Sequence, residues 1–145
     1  MLEVRLNQPM TLDPKGRLTL PSRLKSALEA HRVSSLVFIV HEGHLRAYAP
    51  AEFTERVERP LLDLDEFDPA AEEKQRLRLG FATELDVDRQ GRMVLPSNLR
   101  QMVGLDRDLV VISLLNRLEF WDPGRLEAWY AARQQRAVIG GGELV

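Results

Sequence analysis

The chain contains no cysteine, which excludes a disulfide framework, a thiolate metal site and a cysteine nucleophile. No stretch approaches the roughly 18 consecutive apolar residues of a membrane-spanning helix. The first residues lack a basic segment running into an apolar one, so no signal peptide is evident. Aromatic residues occupy only 6% of the 145 positions, and histidine occurs only at His31, His41 and His44. What remains, 44% apolar and 29% charged residues, is ordinary for one soluble globular domain. The expectation is a cytoplasmic protein with neither a membrane nor a small-molecule substrate as partner.

Strong charge of one sign is also missing, since the net charge is −2. Its distribution is uneven. Residues 1–36 hold six Lys or Arg against three acids, and residues 51–73 hold nine acids against two Arg. Such separation can create a local electropositive surface with an acidic flank elsewhere, although each charge run taken alone reads more readily as a solvated face.

The chain also writes one segment twice. Asp13-Pro14-Lys15-Gly16-Arg17-Leu18-Thr19-Leu20-Pro21-Ser22-Arg23-Leu24-Lys25 returns 75 residues later as Asp88-Arg89-Gln90-Gly91-Arg92-Met93-Val94-Leu95-Pro96-Ser97-Asn98-Leu99-Arg100. Internal repetition of this kind governs the reading of the whole fold. An extended segment over 6–12 or 81–87 leads into each copy. Gly16 and Gly91 stand where the chain must reverse, and glycine takes the positive φ that hairpin turns need. The return strands then run into Pro21 and Pro96, each opening a short helix. Leu24 and Leu28 line one helix, and Leu99 with Met102 or Val103 the other, which Gly104 ends.

In each half an apolar strand pair follows, over 36–48 and 109–121. Tyr48-Ala49-Pro50 corresponds to Trp121-Asp122-Pro123 at an offset of 73. Helices start at Pro50 and Pro123, the second with Asp122 as N-cap. Phe53 and Val57 on the first match Leu126 and Tyr130 on the second as buried stripes. An acidic insert from Pro60 to Pro69 joins the halves and leads into a helix opened by Asp68 and closed by Gly80. Gly140, Gly141 and Gly142 mark a flexible tail. Segments 36–40 and 109–115 read mainly as core, with subunit interface as the alternative.

Two readings fit the repeated turn. In the architectural one, Asp13 and Asp88 accept hydrogen bonds from their own turn backbone, and Arg17 and Arg92 pair with those carboxylates. In the functional one, the surplus charge matters. Lys15, Arg17, Arg23 and Lys25 face a single acid in the first copy, and Arg89, Arg92 and Arg100 face one in the second. Two related basic turns suit the repeating phosphates of a duplex, and arginine can also read guanine with two hydrogen bonds.

The paired Asp-x-x-x-Arg segments, with glycine before the arginine and proline four residues after it, resemble the signature of the MraZ family of tandem AbrB-type (SpoVT/AbrB-like) domains. The resemblance covers essentially the whole chain. It implies a mixed α+β, β-rich fold, a duplicated AbrB-like swapped-hairpin β-barrel with pseudo-two-fold symmetry and flanking helices. The implied division is a first half over 1–59, an acidic linker and connecting helix over 60–79, a second half over 80–136 and a tail over 137–145. It further implies a ring-shaped homo-oligomer on the nucleoid that binds promoter repeats of the division and cell-wall gene cluster and regulates transcription. Arg17 and Arg92 then become the leading DNA contacts, supported by Lys15 and Arg89, with Arg23, Lys25 and Arg100 on the same basic surface. Asp13, Gly16, Asp88 and Gly91 orient the turns. Lys25, in place of the more usual arginine, gives up bidentate contact, and Pro14 stiffens the first turn.

An enzyme is not expected, nor is a metal or cofactor. His41-Glu42-Gly43-His44 is not His-Glu-x-x-His and falls on a hairpin turn, with no evident third ligand. Ser22 and Ser97 read as hydrogen-bonding residues at helix starts, since neither motif contains a histidine. The remaining rivals are an antitoxin-like interaction module and a structural oligomer without specific DNA binding.

Overall fold

A computed structural model describes residues 2–140 of the chain, with side chains through Gln134. The described fold is mixed α and β, dominated by antiparallel sheet with flanking helices. The strands are β1 (Asn7–Thr11), β2 (Arg17–Thr19), β3 (Ser35–His41), β4 (His44–Tyr48), β5 (Thr83–Asp86), β6 (Arg92–Val94), β7 (Asp108–Leu114) and β8 (Arg117–Trp121). Six of them form one sheet in the order β1-β7-β8-β4-β3-β5, and β2 pairs with β6 in a separate ribbon.

The sequence reading joins each extended arm to its return strand as a hairpin, and here the structure differs. Asp13 and Arg17 do close a hairpin, with Asp13 N–H donating to the Arg17 carbonyl at 3.0 Å. Beyond that point the arms part. β1 runs along β7 of the second half, β5 along β3 of the first, and β2 along β6. The tight turn fixes where the chain reverses, whereas the partner of each arm is set by burial of its apolar face. Pro9 lies in β1, an edge strand, where a missing ladder donor is tolerated.

Alternation divides the large sheet into two faces. Leu36, Phe38, Leu45, Ala47, Leu109, Val111, Leu118 and Phe120 point into the main core with Leu18 and Met93 of the ribbon strands and with Leu20 and Leu95 just after them. Phe38 and Phe120 meet at its centre, ring centroids 5.2 Å apart. The short helices α1 (Ser22–Ala30) and α5 (Ser97–Met102) add Leu24, Leu28 and Leu99. Of the two alternatives at the end of α5, Val103, its C-cap, is fully buried and Met102 remains half exposed. Pro21 and Pro96 are the N-cap residues themselves, and no side-chain capping bond forms at either helix start. The expected role of Ser22 and Ser97 is therefore corrected, because each occupies a first helical position instead of a cap.

On the opposite face, α2 (Pro50–Phe53), a π-helical turn (Thr54–Glu58) and α3 (Arg59–Leu62) run without a break. Phe53, Val57 and Leu61 cover Val37, Ile39 and Tyr48. The helical run thus passes through Pro60, where a linker was expected to begin. Proline lacks an N–H and its ring crowds the carbonyl four residues back. The π turn relieves this, with Arg59 N–H bonded to the Thr54 carbonyl, five residues back. α4 (Pro69–Leu79) then starts at Asp68, whose side chain accepts from Ala70 N–H. In the second half α6 (Pro123–Gly140) starts at Asp122, whose carboxylate accepts from Arg125 N–H. It buries Leu126 against Ile112 and Trp121, but Tyr130 is 44% exposed and does not join that stripe. The smaller cluster under α6 ends before the second turn of apolar residues arrives. α6 reaches Gly140, past the start of the expected tail, and Gly141 and Gly142 lie outside the described residues.

Candidate nucleic-acid interface

The two repeated turns have the same geometry. In the first, Asp13 Oδ1 accepts from the backbone N–H of Lys15 and of Arg17, each at 2.9 Å, and Arg17 Nε donates to Asp13 Oδ2 at 2.6 Å. In the second, Asp88 Oδ1 accepts from Gln90 N–H at 2.9 Å and Arg92 N–H at 2.8 Å, and Arg92 Nε donates to Asp88 Oδ2 at 3.0 Å. These backbone and guanidinium donors hold both carboxyls below their ordinary values. Each arginine spends Nε on its own turn and remains 61% exposed.

β2 and β6 place both arginines on one surface. Arg17 stands opposite Val94, Leu18 opposite Met93 and Thr19 opposite Arg92. Leu18 and Met93 point into the core while the other four side chains are exposed. Residues of the ribbon and of the edge strands β1 and β5 together line an open groove of about 1590 Å³. Lys15 and Arg89 are exposed in the turns themselves. Arg23 is exposed at the start of α1.

Lys25 and Arg100 are placed differently. Both are half-buried and each braces the turn of the other half. Arg100 Nε donates to the Leu95 carbonyl at 2.9 Å, and its guanidinium lies over Gly16. The aliphatic stem of Lys25 packs on Gly91, and its ammonium lies 3.6 Å from Glu29. Gly16 and Gly91 have φ of 82° and 79°. A Cβ on Gly16 would sit 2.4 Å from the Leu95 carbonyl oxygen, whereas one on Gly91 would meet only the Lys25 stem at 3.2 Å. A Gly16→Ala variant should therefore melt clearly lower than Gly91→Ala by circular dichroism. Both should fall below the wild type by at least the ~1–2 kcal/mol that a left-handed conformation costs a residue with a Cβ. Equal losses would mean that the contact with Leu95 relaxes freely.

One polar constellation escapes the sequence reading. On the outer face of the sheet β4 carries His44 and Arg46, and β8 carries Arg117, Glu119 and Trp121. Arg46 and Glu119 are directly opposed in register. Glu119, only 4% exposed, accepts from Trp121 Nε1 and Arg117 Nε, each at 2.9 Å. His44, equally buried, stacks on Trp121 with centroids 4.2 Å apart and brings Nε2 within 3.4 Å of Glu119. Burial pushes the Glu119 carboxyl up, but His44, Trp121 and Arg117 outweigh it and hold it at about 2. The signal lay in the alternation of β4 and β8, where polar residues occupy one face of both strands. Among the described residues no group of three or more His, Asp or Glu side chains could hold a metal ion, and no helix is long and apolar enough to cross a membrane.

Known proteins are similar to this chain in sequence along nearly its full length. A protein of Acidithiobacillus ferrooxidans called "Transcriptional regulator MraZ" is 36% identical over 140 residues, covering 90% of this chain and 92% of the relative. The chain belongs to the MraZ family. The like-named MraZ protein of Hydrogenovibrio crunogenus is 36% identical over 93% of this chain and 88% of its own. That of Legionella pneumophila is 38% identical over 87% and 82%. Residues 79–137 also match the family described as "MraZ protein, putative antitoxin-like". In this MraZ-family chain that span takes in β5, the second turn, β6, α5, β7, β8 and most of α6.

Proposed function

We propose that this chain is a transcriptional regulator that binds double-stranded DNA through the β2–β6 ribbon and its two turns. The observation that carries the reading is the pair of matched turns, each holding an exposed arginine through Nε alone. A two-stranded ribbon fits the major groove, where arginine is the commonest reader of guanine. Lys15 and Arg89 at the tips meet phosphates, and Arg23 adds to the same basic surface. Lys25 and Arg100 act from behind by fixing the turns. Beside the ribbon the groove is lined by Glu84, Asp86 and Asp106 against Arg107 alone, so the backbone of the DNA approaches over the tips and not along that acidic lining. The relatives' name, the exchange of strands between halves and the repeated turns together support a duplicated swapped-hairpin barrel of AbrB type acting on promoter repeats, without a catalytic step.

A small number of basic tips gives weak, salt-sensitive binding, and repetition in a ring raises avidity on tandem sites. Unlike apolar side chains stand exposed in the two halves. Leu62, Phe67 and Leu77 belong to the first connection, and Leu115, Trp129 and Tyr130 to the second half. Unlike patches that meet form a heterologous contact, and such contacts make a ring where the rotation from copy to copy closes. Light scattering should give a multiple of the 16.6 kDa chain mass, and Leu77→Glu should reduce it.

Fluorescence anisotropy tests the DNA reading. A labelled duplex from upstream of the protein's own gene should bind more tightly than a scrambled duplex, and binding should weaken steadily with added salt. Equal affinity for both duplexes would leave a non-specific binder, and no binding at low salt would remove DNA from the account.

A further inference from the structure

We infer that Val94 and Thr19 are specificity-determining residues that give the ribbon a direction on DNA. The inference rests on the DNA reading above. The relation between the halves carries Arg17 onto Arg92 and Thr19 onto Val94, with Leu18 and Met93 on the pseudo-two-fold axis. The outer face is therefore symmetric in its arginines and asymmetric in the residues opposite them.

A single exposed valine is ordinary on a strand, but the position of this one is informative. Val94 is 49% exposed and faces Arg17 across the ribbon. Directly opposed side chains lie about 4.5–5.5 Å apart at Cβ, so a base pair next to the one met by Arg17 falls within reach of Val94. In the major groove the apolar feature of a base pair is the C5 methyl of thymine. Valine offers only methyl groups there. Thr19, opposite Arg92, offers a hydroxyl that donates and accepts as well as one methyl. Each arginine thus has a different reader beside it. The step next to Arg17 favours thymine through Val94, and the step next to Arg92 is read through a polar group. Exchanging the two halves on one site mismatches both steps, so the chain sits on its site in one orientation.

The test uses the full chain and labelled duplexes from upstream of its gene. In each duplex one thymine is replaced by uracil, which removes only the C5 methyl. The wild type should lose about fourfold in affinity at one thymine beside a guanine, the factor for losing one buried methyl group. Val94→Asn and Val94→Ser should bind all uracil duplexes and the parent duplex alike, and Thr19→Ser should keep the penalty. Circular dichroism checks that the variants melt near the wild type, as expected for a half-exposed position. Wild-type binding that ignores every uracil, or a penalty that survives in both Val94 variants, overturns the assignment while the DNA reading stands. Absence of any binding by the wild type removes both.

Discussion

Replacing Arg17 and Arg92 together by alanine should abolish specific DNA binding and leave the melting temperature almost unchanged. Each arginine that reads a guanine is worth roughly 1–3 kcal/mol of discrimination, so the double variant should lose on the order of a hundredfold or more in affinity. The fold should tolerate the change because both side chains are mostly exposed and their pairs with Asp13 and Asp88 are surface pairs. The carboxylates also keep their backbone donors from residues 15 and 17 and from residues 90 and 92. Anisotropy beside a thermal melt separates the two effects. Full-strength binding by the double variant would assign the turns to architecture alone, and a collapse of the melt would do the same by another route. Lys15→Ala should weaken all duplexes alike and lower the salt dependence, as loss of a phosphate contact does.

The largest loss of stability is expected from Glu119→Gln. The side chain is buried and negatively charged, and it receives hydrogen bonds from Trp121 and Arg117 beside His44 and Arg46. Removing one member of a buried charge cluster strands the others, at a cost of about 3 kcal/mol or more. For a domain of this length that corresponds to a fall of about 10 °C in melting temperature. The pH dependence supplies a second readout. The Glu119 carboxyl lies at about 2 in the folded chain against an ordinary 4.5, so the unfolded chain takes up the proton first as pH falls. The stability it contributes is complete above the ordinary value and is lost as pH drops toward the folded one. The gap between wild type and Glu119→Gln should accordingly shrink between about pH 6 and about pH 3. A gap that stays constant over that range would mean that the carboxylate is not held by its neighbours.

The turns were legible because local chemistry specifies them. An aspartate that accepts from its own backbone, a glycine at positive φ and a proline before a helix leave marks at fixed offsets, and the marks occur twice. The apolar strands were legible from alternation and length. Strand partners were not, since β1 and β2 look like two arms of one hairpin until burial of Met10 and Leu18 sends them to different neighbours. The bracing role of Lys25 and Arg100 was hidden for a related reason. Charge is visible in the sequence, but only the fold shows that a stem packs on a glycine of the other half. Likewise Glu119 reads as a solvated strand residue until Trp121 and His44 close over it.

Arg46 and Glu119 occupy equivalent places in the two halves and face each other where β4 meets β8. A half that paired with a copy of itself would set arginine against arginine or glutamate against glutamate at that buried spot, and directly opposed like charges repel. The unlike pair therefore favours β4 beside β8 over either strand beside its own copy, and one buried position selects between strands that are otherwise alike.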